Sequence, residues 1–392
     1  MVILLHLLLE EVQEVESIYH AINEQILHSC GNPYLRGLIE AIKSEVKESL
    51  DDLKWIRQFA VRMLQAALQK NRKTFKKLYT STIQILYAIK NKAIVLSQLT
   101  DIVTLYDYLT RNVNYRTPLT ALEKFIDNIK SHLKGSYSVS QLNLYVLAEY
   151  SYSTINILRK RNTIVFCVPV YDLFKPWKWV LLLHEIGHIL FDIKSEIFVN
   201  EFRKRILPLL KQLTPTGYRH LDQILRLWEQ KWLKELIADL YGVALGGPSY
   251  IYAFLIEVFS SNPASPTISH PSLDSRIHIQ LKYLENIAEV QEWLERIRGL
   301  WLSYRENILI EKLSYPFTPD VLDELNTIFT GITKNPLFLS YISEVLEIQR
   351  KISKGYNVVA EPLYLILALT LSDKKMDTAT WKRVINAIAE DQ

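Results

Sequence analysis

The run Trp179-Val-Leu-Leu-Leu-His-Glu-Ile-Gly-His-Ile-Leu-Phe191 constrains the fold more than any other stretch of this chain. Its apolar residues read as one buried helix, with Pro176 suited to the first turn and Asp192 following the last apolar residue. Into that helix the sequence sets two imidazoles and a carboxylate: His184, Glu185 and His188. At about 100° per residue, His184 and His188 lie about 40° apart, one turn from each other on one face. Polar groups buried among Leu, Ile and Phe are costly unless something satisfies them. Either the three find hydrogen-bond and ion-pair partners within a plain buried helix, or the imidazoles ligate a metal. Two imidazoles so placed reach one Zn2+ at about 2.0–2.1 Å. Glu185, beside that face, is then placed to polarise a metal-bound water and shuttle its proton.

A second segment supplies what such a metal needs. Trp232-Leu-Lys-Glu-Leu-Ile-Ala-Asp-Leu-Tyr-Gly242 is again helical and apolar around much of its circumference, with Glu235 and Asp239 one turn apart. A tetrahedral catalytic zinc takes a third protein ligand and leaves its fourth position for water. Glu235 can be that ligand, and Asp239 can hydrogen-bond the other ring nitrogen of a ligand histidine, first of all His184. The plain alternative is a surface helix with solvated acids, but Leu233, Leu236, Ile237, Leu240 and Val243 flank the pair. A histidine six residues after His188 would supply the third ligand instead. Positions three and six beyond His188 are Phe191 and Lys194, so that arrangement does not occur.

The third segment, His270-Pro-Ser-Leu-Asp-Ser-Arg276-Ile277, opens another apolar-periodic helix. With HExxH, Glu-x-x-x-Asp and His-Pro-x-x-x-x-Arg-Ile in this order, residues 160–290 resemble the gluzincin metalloproteases. They are most similar to the family of HtpX and the CAAX prenyl endopeptidases. The resemblance implies zinc held by His184, His188 and Glu235, Glu185 as general base, Asp239 behind the ligands, and His270 and Arg276 near the reacting groups. His270 or Arg276 could stabilise the oxyanion of the tetrahedral intermediate. Equally, His270 could cap its helix while Arg276 pairs with a structural carboxylate. The membrane proteases of that family carry several spanning helices. Here the most apolar runs, Val2–Leu9 and Pro362–Leu371, fall well short of the roughly 18 residues a span requires. The family's membrane substrates are therefore not carried over.

Composition agrees with an ordinary globular protein of two or three domains, with 49% hydrophobic and 22% charged residues in 392. The opening Met-Val-Ile-Leu-Leu-His-Leu-Leu-Leu lacks a basic start and meets Glu10-Glu11 at once, unlike a signal peptide. Cys30 and Cys167 make neither a disulfide framework nor a metal-ligand spacing, so reducing cytoplasm is the expected setting.

Along the chain, 3.6-type spacing predicts helices over Leu4–Leu27, Leu35–Leu68, Phe75–Ser97 and Leu119–Leu133, the last opening at Pro118. Two strands are expected, Leu142–Tyr152 and Asn162–Val170. Helices then resume to the C-terminus, with the segment from 311 onward a small appendage. The expected fold is mainly α: a zincin-like metallopeptidase core with a small β-sheet at 137–310, between helical regions at 1–136 and 311–392. Pro169 favours an edge position for Asn162–Val170, and the resemblance to gluzincins implies that this strand pairs with extended peptide substrate; a plain hairpin is the alternative.

One charge pattern stands apart. From Lys54 to Thr100 there is no acidic residue, while Lys54, Arg57, Arg62, Lys70, Arg72, Lys73, Lys76, Lys77, Lys90 and Lys92 are basic. Such a stretch suits nucleic acid, an anionic membrane surface or an acidic partner, or is a solvated face balanced by acids elsewhere. With a whole-chain charge of only +4, the balanced face is the simpler expectation. The sequence thus points to a zinc metallopeptidase acting on peptide or protein substrates. A catalytically silent zinc-stabilised scaffold and a nucleic-acid-associated protease are its rivals. Oligomeric state is left open.

Overall fold

Two asparagines, rather than glycine-rich loops, divide much of the N-terminal helical region. The Asn71 side chain accepts from Thr74 N–H at 3.1 Å and starts α3; that of Asn112 accepts from Asn114 N–H at 3.0 Å at the start of α4. In this computed structural model the described residues are 1–28, 31–136, 142–149, 152–214, 220–258, 266–308, 315–333, 337–372 and 377–390. The first helices are α1 (Val2–His28), α2 (Arg36–Leu68), α3 (Arg72–Arg111) and α4 (Val113–Ser136). The helix expected over Phe75–Ser97 continues to Arg111, because no breaker intervenes before Asn112. The Asn112 cap starts α4 at Val113, so Pro118 lies inside the helix instead of opening it.

Packing divides the chain into two compact units: Met1–Leu119 with Leu133–Val170, and Thr120–His132 with Tyr171–Gln392. The first contains α1, α2, α3 and a three-stranded sheet of β1 (Asn143–Glu149), β2 (Ser153–Ile155) and β3 (Thr163–Pro169), in the order β1-β3-β2. β1 runs parallel to β3, from Asn143 opposite Thr163 to Glu149 opposite Pro169, and β2 lies antiparallel on the other side, opposite Val165–Cys167. This corrects the edge-strand expectation, and the hairpin with it. β3 is the middle strand, and all seven of its residues are buried. Pro169 is tolerated because it ends the strand, where a missing N–H interrupts no further ladder. Tyr150 and Ser151, expected in the first strand, lie outside the described residues, as does Cys30; Cys167 is buried in β3. Glu45 of α2, nearly fully buried, binds Lys92 of α3 and Arg161 just before β3, so one carboxylate ties three elements.

The second unit is helical among its described residues. It comprises α5 (Pro176–Trp179), α6 (Leu182–Ile193), α7 (Ser195–Glu201), α8 (Leu207–Gln212), α9 (Leu221–Leu227), α10 (Leu233–Gly246), α11 (Pro248–Val258), α12 (Leu273–Leu284), α13 (Gln291–Ile308), α14 (Pro319–Thr333), α15 (Ile342–Ser353), α16 (Pro362–Leu371) and α17 (Thr378–Glu390). The single helix expected from Pro176 is two, because Leu183 N–H bonds Val180 and His184 N–H bonds Leu181 in tighter three-residue turns. A π-helical turn at Trp228–Trp232 joins α9 to α10 without a loop.

The segment from 311 is no appendage. Thr370 of α16 donates to the Trp177 carbonyl at 3.3 Å, Ser249 of α11 donates to the Leu367 carbonyl at 3.0 Å, and Tyr341 donates to the Leu245 carbonyl that ends α10. Pro362–Leu371 is apolar because it is core: eight of its residues are buried. No described helix is long and apolar enough to cross a membrane.

Candidate metal centre

α6 and α10 form the site because Gly187 lets them touch. A Cβ at position 187 would stand 2.5 Å from the Ala238 carbonyl oxygen, so any larger residue would push the helices apart. α10 ends at Gly247, whose φ of +57° and N–H to the Val243 carbonyl (2.7 Å) turn the chain into α11. That turn brings Tyr250 back beneath α10.

Three side chains meet across this contact. His184 Nε2 lies 3.4 Å from Glu235 Oε2 and His188 Nε2 lies 3.5 Å from Glu235 Oε1, with the imidazole centroids 4.5 Å apart. His184, His188 and Glu235 are the group among the described residues able to hold a metal ion. Two atoms each about 2.0–2.1 Å from a tetrahedral zinc are about 3.3–3.4 Å apart, close to the two separations seen here. Glu235 Oε2 is buried and accepts no hydrogen bond, its imidazole neighbours standing at ion-pair distance but out of hydrogen-bonding geometry. An orphaned carboxylate oxygen ringed by imidazole nitrogens fits a cation. His188 Nδ1 is likewise buried without a partner.

Behind His184 stands a buried charge network. Asp239 Oδ1 lies 3.0 Å from His184 Nδ1 and accepts from Tyr250 Oη at 2.8 Å. Arg276 grips the same carboxylate with both arms, Nε to Oδ2 at 2.6 Å and Nη2 to Oδ1 at 2.7 Å, while its guanidinium lies over the Phe254 ring. Tyr250 Oη is also 3.3 Å from His184 Nδ1.

The network decides where protons sit. Burial favours a neutral Asp239, but the Arg276 charge, with bonds from Arg276 and His184, holds the carboxyl well below the usual range. Burial also opposes charge on His184, yet Asp239 and Glu235 outweigh it and push the imidazole up to about 9. His188 falls to about 4 through burial and the adjacent His184 charge. For Glu235, burial is again outweighed by the two imidazoles, which hold it low. His184 thus keeps its proton at neutral pH, while His188 stays neutral with a lone pair to give.

The remaining expected residues divide. Glu185 is half-buried on α6, near enough for its charge to act on His188. His270 does not cap α12; Ser272 does, its side chain accepting from Ser275 N–H. His270 instead lies with Nε2 3.6 Å from Glu235 Oε2 and its side chain about half exposed. A turn holds it there: His270 N–H donates to Thr267 Oγ1, Thr267 N–H to the His270 carbonyl, and Trp232 Nε1 to the Thr267 carbonyl, each at 2.9 Å. Arg276 is not an oxyanion donor. It is 8% exposed and both its arms are bound to Asp239, so it meets a structural carboxylate. Tyr250 is the participant the sequence did not disclose, since a lone tyrosine in an apolar helix carries no spacing signal. A cavity of about 430 Å3 between α15, α16 and α17 contains none of these residues, so chemistry and not volume marks the site.

This chain matches no family model, no curated protein and no solved structure.

Proposed function

We propose that this protein is a zinc-dependent metallopeptidase of gluzincin type, with a zincin-like core formed by α6, α10 and α12. The observation that carries the reading is the convergence of His184 Nε2 and His188 Nε2 on a buried Glu235 carboxylate with an unsatisfied oxygen. His184, His188 and Glu235 would hold the ion. When bound, it supplies a Lewis acid that polarises a scissile carbonyl and lowers the pKa of water.

The chain's own groups do the rest. Asp239 keeps His184 Nδ1–H engaged, so that a metal would displace the proton from Nε2, the nitrogen on the Glu235 side, and not from Nδ1. Arg276 and Tyr250 keep Asp239 anionic and fixed in that task. The Glu185 carboxylate takes a proton from the attacking water and passes it to the leaving amine nitrogen. His270 Nε2, on a loop tethered by Trp232, donates to the carbonyl oxygen as negative charge develops. Peptide or protein is the substrate class, since amide hydrolysis is what such a donor set performs.

Metal analysis of purified protein, beside digestion of a denatured-protein mixture by wild type and Glu185→Gln, tests the proposal. About one zinc ion per chain in both proteins, with cleavage slowed at least about a hundredfold in the variant, is expected. Zinc in both proteins with no cleavage by wild type would instead leave a metal-stabilised scaffold.

A further inference from the structure

The acid-free stretch from Lys54 to Thr100 sorts into two sets. Lys54 pairs with Asp51, Arg57 with Glu16, Lys90 with Glu11 and Glu14, and Lys92 with Glu45, while Arg62 lies over the Phe59 ring. Lys70, Arg72, Lys73, Lys76 and Lys77 remain. All five are exposed around the α2–α3 turn, and none has an acidic partner among the described residues.

The same contacts fix which end of the three-helix bundle this is. Glu16 of α1 faces Arg57 of α2, and Glu11 faces Lys90 of α3. Leu7 and Leu8 of α1 share a cleft of about 170 Å3 with Tyr79 and Ile83 of α3. Moving toward the start of α1 therefore moves toward the end of α2 and the start of α3, which is where the five cations lie.

That end is also unusually apolar outside. Ile3, Leu4 and Leu7 of α1 are exposed, Ile3 by 76%. So are Val61, Leu64 and Leu68 of α2, a single stripe at i, i+3 and i+7, with Leu68 exposed by 72%. A merely solvated face would carry acids and scattered apolar residues. A single-stranded nucleic-acid face would present several aromatic rings for stacking beside its cations; here Tyr87 lines the α1–α3 cleft at 58% exposure, while the six exposed residues just named are all aliphatic. Branched aliphatic side chains at the same end of the bundle as five cations match the boundary between acyl chains and anionic headgroups.

We propose that this end of the bundle docks on an anionic lipid bilayer, its aliphatic residues entering the headgroup boundary while Lys70, Arg72, Lys73, Lys76 and Lys77 meet the negative headgroups. Each cation near such a surface strengthens partition about fivefold.

Co-sedimentation of the full chain with vesicles decides it. At about 0.1 M salt the protein is expected to pellet with phosphatidylcholine vesicles containing about 30% phosphatidylserine, to stay in solution with phosphatidylcholine alone, and to be released toward about 0.5 M salt. Lys73→Ser, Lys76→Ser and Lys77→Ser together should weaken partition about a hundredfold. Leu64→Ser with Leu68→Ser should weaken it while leaving the salt dependence unchanged. All five side chains are exposed, so the helical circular dichroism and unfolding midpoint should stay at wild-type values, which separates lost binding from lost folding. Equal partition to both vesicle types, no partition at low salt, or indifference to the lysine variant overturns the proposal. Retention on duplex DNA without vesicle binding assigns the face to nucleic acid, and a Leu68-dependent dimer assigns it to a second copy; either result also overturns it.

Discussion

Replacing Arg276 with methionine tests whether a buried cation organises the proposed metal centre. Methionine keeps an unbranched stem of similar reach over Phe254 but deletes the two charged bonds to Asp239. Asp239 is fully buried and would retain only the His184 ring nitrogen and Tyr250 Oη as polar partners. Removing one member of a buried ion pair costs about 3–5 kcal/mol, because the remaining charge is left uncompensated. In a folding unit of about 150–250 residues each kcal/mol moves the melting temperature by about 2–4 °C, so a fall of roughly 6–20 °C is expected. Arg276→Lys should recover only part of this, since an ammonium cannot present two parallel donors to one carboxylate. Adding Asp239→Asn to Arg276→Met removes the orphaned charge and should recover about half the loss or more. Calorimetric melts of zinc-free protein measure these values. Chelator competition should show zinc affinity weakened about 10–100-fold, through the freed His184 ring. An Arg276→Met protein within about 1 kcal/mol of wild type, or a double variant at the simple sum of the singles, would refute the argument.

Three further outcomes follow from the packing and the charges. Gly187→Ala should destabilise the protein by at least about 1–3 kcal/mol and lower its zinc content, because the new Cβ meets the Ala238 carbonyl where α6 and α10 touch; melts and metal analysis check both. Chelation should lower stability by about 2.7 kcal/mol relative to protein with zinc a hundredfold above its Kd, and an unchanged melt would count against a bound metal. Tyr19, buried and donating to the Ile89 carbonyl at 3.0 Å, is pushed by burial up to about 12. The native state then holds a proton that the unfolded chain loses near pH 10, so this stability is complete below pH 10 and is lost as pH rises to about 12. Urea unfolding of wild type against Tyr19→Phe should show their difference shrinking by about 2–3 kcal/mol across that window.

Local periodicity made a defined part of this protein legible from its sequence alone. The helical class, the pairing of His184 with His188 and the pairing of Glu235 with Asp239 depend on residues one helical turn apart, and backbone geometry settles that without knowledge of the rest of the chain. The shortness of the apolar runs was equally plain, as was the acid-free stretch from Lys54 to Thr100. Tertiary structure alone decided which groups far apart in sequence meet. β3 lies between β1 and β2 because a parallel pairing is selected by long-range packing, and a single proline at the strand's end could not report it. Arg276 turned from a candidate charge stabiliser into the partner of Asp239, and Tyr250 joined them, because Gly187 and Gly247 let three helices close on one buried carboxylate. His270 faces Glu235 through a turn fixed by Trp232, a contact that neither residue's sequence neighbours foretell. The acids of α1 and α2 neutralise four of the ten cations and leave the five at the α2–α3 turn without acids, because charge pairing follows proximity in space and sequence spacing sets only the neighbours within a helix.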